Sequence, residues 1–373
     1  MHPAALATMA AAWELGWADP RRLHAEGRTA RRLLDQAREV LAEGLGVRPE
    51  DLVFTPGGPA AVRLGLDGLR YAARRAGARL VASAVEHSTI LLDGRHRAAT
   101  AGDPTLLAEV RVDRWGRVDL DAWEAALAVP GTAVAALQSA NAEVGTDQPI
   151  EAARQRCRAR GIPMLVDATA GLGRAPTPTP GSYDVLAGEA RSWAGPPGLG
   201  VLIVPAGTRW RRDAPPTELE GGRSDIEPVL PLALAAAEAW RQTAADPAEP
   251  ALARALVERI RAAAAAVPDT EVAGDPHDRL PHVVTFSCLL ADGEALVREL
   301  DRRGIAVASG SACTASTLEP SHVLAAMGVL THGNVRITLP TRAVAPHRET
   351  WVQSLCDELP AAVAAVRAEV AGR

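Results

Sequence analysis

Between positions 27 and 46, apolar side chains recur at Ala30, Leu33, Leu34, Ala37, Val40 and Leu41, a spacing that predicts one amphipathic helix. The pattern then changes to short apolar runs of strand length: "DLVFTP" (51–56), "RLVASA" (79–84), "TAVAALQSA" (132–140), "PMLVDAT" (163–169), "YDVLAG" (183–188) and "GLGVLIV" (198–204). Helical stretches at 59–76 and 150–160 separate several of them. Apolar strands alternating with helices predict a mainly parallel sheet covered on both faces. Residues 228–266 are Ala-rich and helical, broken near "ADPAEP" (245–250), and a domain boundary is expected there. Beyond it, "HVVTFSCLL" (282–290), a helix at 292–303, "NVRITL" (334–339) and a final helix from about 347 predict a smaller α/β layer. The expected domains are therefore 1–245 and 246–373. The Pro-rich "RAPTPTPGS" (174–182) reads as a surface loop.

Composition narrows the function classes. With 373 residues, 47% of them hydrophobic, the chain can build one large and one small core. The net charge is −5 and no basic stripe appears, which argues against nucleic-acid binding. No apolar run approaches the roughly 20 residues that span a bilayer. No charged-then-apolar leader follows Met1, so a cytoplasmic location is expected. Cys157, Cys288, Cys313 and Cys356 have no CxxC spacing, which points away from a zinc site and from a disulfide framework. All 40 basic residues are Arg. Without a lysine, no side chain here can form a Schiff base with a carbonyl cofactor or substrate.

The stretch richest in chemistry is "ASGSACTASTLEPSHVLAAMG" (308–328). Gly310, Ser311, Ser316 and other small residues surround Cys313 and do not build a core. "LEPSHVL" then opens a helix, with Pro320 expected in its first turn and Glu319 favouring its dipole. A Cys on a small-residue loop just ahead of a helix start can be exposed and partly thiolate. The other three cysteines lie in helical or strand patterns and read as small buried hydrophobes.

Here the chain resembles the cysteine desulfurases, in the class V aminotransferase branch of the fold-type-I pyridoxal-phosphate (PLP) enzymes. "LHAEGRTARRLLDQAREVLAEGLGVRPEDLVFT" (23–55), "EHSTILL" (86–92), "NAEVGTDQPI" (141–150), "VDATAGLGR" (166–174), the Cys loop and "VRITL" (335–339) follow in family order. The resemblance implies a fold-type-I architecture: a large domain with a mainly parallel sheet flanked by helices, and a small C-terminal α/β domain. It also implies a homodimer, with the Ala-rich helices and the "RSDIEP" loop (223–228) at its interface. In the family, PLP draws electrons from bound cysteine, a loop thiolate attacks its sulfur, and a persulfide and alanine result.

Position by position, the resemblance matches His87 to the histidine stacked on the cofactor ring and Asp167 to the carboxylate paired with the ring nitrogen. It matches Arg336 to the clamp on the substrate carboxylate and Cys313 to the thiolate that accepts sulfur. The rest of the pocket departs. Ser192 stands at the lysine position, Arg191 at the preceding histidine and Glu189 at a phosphate-binding serine. Pro59, in "TPGGPAA" (55–61), replaces a phosphate-loop threonine and has no N–H. Ile226 stands at the partner-subunit threonine, Ala170 at a glutamine and Ala142 at an asparagine. The family's amino-terminal "DNAATT" has no counterpart in a chain that opens "MHPAAL", so the large domain is expected to be shortened there. Each charge-assisted hydrogen bond to a phosphate contributes roughly 1.5–3 kcal/mol. Losing three or four removes on the order of a thousandfold in affinity or more.

Conventional desulfuration is therefore expected to be lost, with no covalently held cofactor and PLP absent or weak. Three readings follow. The protein handles sulfur through Cys313, taking a persulfide from another protein or serving iron–sulfur assembly on a scaffold partner. Or it is a non-catalytic docking body or heteromeric partner of an active desulfurase. Or the pocket has been repurposed for another small acid, or binds PLP non-covalently. No metal site is expected.

Overall fold

The computed structural model describes residues 1–14, 18–309 and 320–371. They fall into two compact units. The larger takes in Met1–Val110, Leu120–Ser139 and Pro149–Pro247; the smaller takes in Arg111–Asp119, Ala140–Gln148 and the chain from Ala248 on.

The larger unit is built on seven strands: β1 (Leu52–Thr55), β2 (Arg79–Ser83), β3 (Leu107–Val110), β4 (Thr132–Gln138), β5 (Met164–Asp167), β6 (Val185–Glu189) and β7 (Gly200–Ile203). Their order is β1-β7-β6-β5-β4-β2-β3. The block from β6 to β3 is parallel, whereas β7 runs antiparallel to both β6 and β1. Every residue of β1, β4, β5 and β7 is buried, as the unbroken apolar runs require of strands covered on both faces. The helices of this unit are α1 (Pro3–Glu14), α2 (Ala25–Leu45), α3 (Gly58–Ala73), α4 (Ser88–Ala101), α5 (Leu120–Leu127), α6 (Ile150–Ala159) and α7 (Leu230–Ala244). Helix α2 turns Ala30, Leu34, Ala37 and Leu41 inward and stops at Gly46, whose φ of 67° is the left-handed conformation glycine adopts freely. Val62, Leu66 and Leu69 of α3 pack against Val53, Leu165, Val185 and Leu202 of the sheet.

The smaller unit sets a three-stranded antiparallel sheet, β8 (Thr270–Ala273), β9 (Val283–Cys288) and β10 (Asn334–Thr338), against helices α8 (Glu249–Ala266), α9 (Gly293–Arg302), α10 (His322–Met327) and α11 (Arg348–Ala371). Its core joins Val284, Phe286 and Val335 to Leu256, Ile260, Leu296, Leu300, Leu355 and Leu359. Among the described residues no helix is long and apolar enough to cross a membrane.

The structure departs from the sequence reading in definite places. Helix α3 ends at Ala73, short of the expected 76. Pro320 lies ahead of α10, outside its first turn: Ser321 is the N-cap, its side chain accepting from the Leu324 N–H. A hydroxyl that can take a helix N–H sets the boundary there. Helices α1, α4 and α5 and strands β3 and β8 are additional. Helix α1 is apolar almost all round, and β3 and β8 are only partly buried, so none carries a clear period. Segments 111–119 and 140–148 belong with the smaller unit, which a linear cut at 245 cannot represent. The Gln148 side chain accepts from Val118 N at 2.9 Å and donates to Gly116 O at 2.7 Å, and Thr285 Oγ1 donates to Glu143 O at 2.6 Å.

Candidate functional site

In the larger unit, strands β2, β4, β5 and β6 end at one edge of the parallel sheet, the edge at which open α/β sheets bind ligands. Strand β1 feeds α3 through a Gly-rich turn at the same edge, where β7 begins. The approach is close: a Cβ on Gly200 would lie 2.3 Å from Gly57 O. Only glycine fits at that position.

Asp167 ends β5 at 3% exposure. Its Oδ1 accepts from Thr169 N at 2.9 Å and from Thr169 Oγ1 at 2.6 Å. His87 follows β2 and is the N-cap of α4. Its Nδ1 accepts from Thr89 N at 3.1 Å and lies 3.0 Å from Thr89 Oγ1. The cap fixes Nδ1 as an acceptor and with it the orientation of the ring.

Sequence reasoning passed over Glu86, the neighbour of His87. It is fully buried, and its Oε1 accepts from Gln138 N at 2.9 Å. Burial raises its pKa well above the usual carboxylate range, Gln138 N–H opposes the rise, and the Asp167 charge adds to it. The sheet end thus holds one carboxyl favoured in its neutral form close to the Asp167 carboxylate. Its only sequence signal is an acidic residue beside a candidate histidine.

Glu189 ends β6, and the 3₁₀ turn Ala190–Trp193 follows. The Ser192 hydroxyl folds back onto the main chain, 2.7 Å from Leu172 O and 2.8 Å from Glu189 O. Trp193 pins the turn to α7: its Nε1 donates to Ala236 O at 3.0 Å, and its ring meets Trp240 edge-on with centroids 5.3 Å apart. The Glu189 carboxylate forms an ion pair with Arg191 at 3.5 Å, and Arg191 is 70% exposed. Its other side lies against α3, since a Cβ on Gly58 would sit 3.1 Å from Glu189 Oε2. Pro59 takes the second position of α3. In the "RSDIEP" loop, Ile226 is half exposed and Ser224 Oγ accepts from Ile226 N at 3.1 Å.

In the smaller unit, Arg336 lies on β10 and exchanges two backbone hydrogen bonds with Ala308, at 2.6 and 3.1 Å. Glu143, also missed in the sequence, is 8% exposed. Burial raises its pKa, and a Ser321 hydrogen bond and the Arg336 charge oppose the rise. Cys313 lies outside the described residues. The segment that carries it departs beside Ala308, which pairs with Arg336, and returns beside Ser321, which bonds Glu143. The remaining cysteines are shielded. Cys157 and Cys288 are fully buried, and Cys356 is half-buried. Burial pushes the Cys157 thiol up to about 12 and raises those of Cys288 and Cys356 as well. Among the described residues, no group of His, Cys, Asp and Glu side chains could hold a metal ion.

The chain belongs to the class-V aminotransferase family, whose model matches residues 2–343. Cysteine desulfurases are among its curated relatives. It is 32% identical to a cysteine desulfurase of Cereibacter sphaeroides, over 99% of this chain and 94% of that protein. It is also 32% identical to an IscS-like cysteine desulfurase of Mycobacterium tuberculosis, over 98% and 94% respectively. A solved NifS-like protein has the same fold at a TM-score of 0.84 and 22% identity, with 96% of this chain and 95% of that one covered.

Proposed function

We propose that this desulfurase-like protein handles sulfur at Cys313 without using pyridoxal phosphate. The observation that carries the reading is the state of position 192. Ser192 replaces the amine that would hold the cofactor, and its hydroxyl is engaged with Leu172 O and Glu189 O. His87 and Asp167 could still face a pyridine ring. The groups needed for the phosphate are missing, because Pro59 offers no N–H, Glu189 places an anion there and Ile226 supplies no donor. The residues present do not fit the cofactor, and the chemistry of this chain does not pass through it.

The chemistry left to the chain is thiol exchange. The Cys313 thiolate attacks the outer sulfur of a persulfide, R–S–SH, on a donor protein. The new S–S bond forms as the donor's bond breaks, the donor leaves as R–S⁻, and Cys313 holds the –S–SH group. No oxidant is needed. Arg336 pairs with Ala308 and Glu143 is hydrogen-bonded by Ser321, so the residues flanking the Cys313 segment bring one cationic group and one carboxyl whose pKa burial raises. Partners are accordingly a persulfide donor and a sulfur-accepting or iron–sulfur scaffold protein, with a second copy of this chain completing a dimer.

The test is incubation with a persulfide-loaded desulfurase, followed by peptide mass spectrometry of all four cysteines. Cys313 is expected to gain one sulfur and the Cys313→Ser variant none. Labelling at Cys157 or Cys356 instead, or stoichiometric pyridoxal phosphate in the purified protein, defeats the reading.

A further inference from the structure

We propose that Glu189 is the resident anion of the α3 N-terminus: its carboxylate fills the space a phosphate group would occupy and closes the crevice of the larger unit to phosphate-bearing ligands. The inference deepens the reading that this crevice holds no pyridoxal phosphate, and rests on it.

A strand, a Gly-rich turn and a helix start at the carboxyl edge of a parallel sheet form a general anion seat, since free N–H groups and the helix dipole converge there. In this chain the seat is used up locally. Gly57 N–H donates to Thr55 O at 2.8 Å, Pro59 has no N–H, and Ala61 N–H donates to Gly57 O at 3.1 Å. The Thr55 hydroxyl donates to Gly57 O at 3.1 Å. Of this turn, the Gly58 and Ala60 amides remain for an incoming anion.

The helix start is also closely approached by neighbouring side chains. A Cβ on Gly58 would meet Thr169 Cγ2 at 2.7 Å, Glu189 Cβ at 3.0 Å and Glu189 Oε2 at 3.1 Å. Thr169 and Glu189 thus crowd the helix start, and a phosphate approaching it would have to displace the Glu189 carboxylate. Glu189 is also held from behind. Ser192 Oγ lies 2.8 Å from its carbonyl oxygen, and Trp193 fixes the following turn to α7. The carboxylate can change rotamer, but the main chain that carries it is pinned. Its charge is already opposite the helix dipole, with Arg191 at 3.5 Å on its solvent side. A second anion would meet the Glu189 charge.

Three departures from the family pattern thus become one arrangement. Ser192 secures the turn, Glu189 projects from it into the seat, and Pro59 removes a donor the seat no longer uses. Of the three, position 189 is the one at which charge and volume both oppose a phosphate.

Titration calorimetry on the full chain tests this with three probes: inorganic phosphate, pyridoxal phosphate, and pyridoxal, which has the ring without the phosphate. Wild type is expected to bind neither phosphate probe measurably. Glu189→Ser removes the charge and adds a donor, and is expected to gain about tenfold or more for both phosphate probes. Pyridoxal binding is expected to stay the same. Glu189→Gln keeps the volume without the charge and should fall between wild type and Glu189→Ser; its side chain also guards against loss of folding in the smaller variant. No gain in either variant, an equal gain for pyridoxal, or inorganic phosphate binding to wild type as tight as to Glu189→Ser overturns the proposal. The underlying reading fails differently, by stoichiometric pyridoxal phosphate co-purifying with wild type.

Discussion

Restoring the missing amine by Ser192→Lys is expected to leave the protein without a stable cofactor and without sulfide release from cysteine. The substitution removes the hydroxyl engaged with Leu172 O and Glu189 O. One such hydrogen bond contributes about 1 kcal/mol, and leaving buried acceptors unsatisfied raises the cost to roughly 1–3 kcal/mol. At ~2–4 °C per kcal/mol for a chain of this size class, the melting temperature should fall by a few degrees. The gain would be an amine able to react with an aldehyde, but the cofactor must first be held beside it. The resemblance matches Pro59, Glu189 and Ile226 to three phosphate donors of the family, and none of them can donate from its side chain or, for Pro59, its backbone N. At roughly 1.5–3 kcal/mol each, the deficit is about 5–9 kcal/mol. At 1.4 kcal/mol per decade that is a thousandfold or more in affinity. Glu189 adds repulsion: two unit charges 4 Å apart interact by about 4 kcal/mol at an effective dielectric of 20. The Arg191 ion pair and partial solvent contact weaken that repulsion, so the missing donors outweigh it. The assay is addition of micromolar pyridoxal phosphate, borohydride reduction, gel filtration and intact mass, alongside sulfide release. A stoichiometric reduced adduct at position 192, or sulfide release at the rate of an active desulfurase, refutes the reasoning.

Three stability predictions concern an ion pair, a close helix contact and a raised carboxyl. Glu220, 3% exposed, binds Arg38 through two contacts of 2.7 and 2.9 Å and accepts from Phe54 N at 2.7 Å. Glu220→Ala strands a mostly buried guanidinium and should cost about 3–5 kcal/mol in chemical denaturation, with the added Arg38→Leu change recovering part of it. Gly44→Ala would set a Cβ 1.7 Å from Trp240 Nε1 and should destabilise by ~1–3 kcal/mol or more, read as a lower midpoint; an unchanged midpoint would mean α2 and α7 do not pack this closely. Burial raises the Asp147 carboxyl to about 6 from 3.8, with Arg254 and Arg117 opposing the rise and Asp278 and Asp275 adding to it. The folded state therefore binds this proton more tightly than the unfolded chain, and stability falls as pH rises from about 4 to about 6. Asp147→Asn should be more stable than wild type at pH 7, by up to about 3 kcal/mol, and the difference should vanish near pH 4; a constant difference across that range would remove Asp147 as its source.

Much of the architecture was legible because it is local. Apolar runs such as "TAVAALQSA" and "PMLVDAT" carry their burial on both faces in the residues themselves, and they became β4 and β5. The α2 stripe and its stop at Gly46 follow from a 3.6-residue period and one left-handed position. The absence of lysine and the identities at 59, 189, 192 and 226 are likewise complete in the sequence, whatever the fold does with them. Tertiary structure decided what no local period encodes. Segments 111–119 and 140–148 joined the smaller unit through partners such as Thr146 and Asp275, 129 positions apart. Glu86 acquired its raised pKa from burial beneath the sheet edge. The resemblance matches Ser192 to the family's lysine position, but only the fold sets its hydroxyl beside Leu172 O and Glu189 O. It likewise matches Glu189 to a phosphate-binding serine, while the meeting of that carboxylate with Gly58 required two strands and a helix start, far apart in the chain, to reach the same sheet edge. Periodicity is a property of neighbours along the chain, whereas contacts, burial and the pKa shifts they cause belong to residues that folding alone brings together.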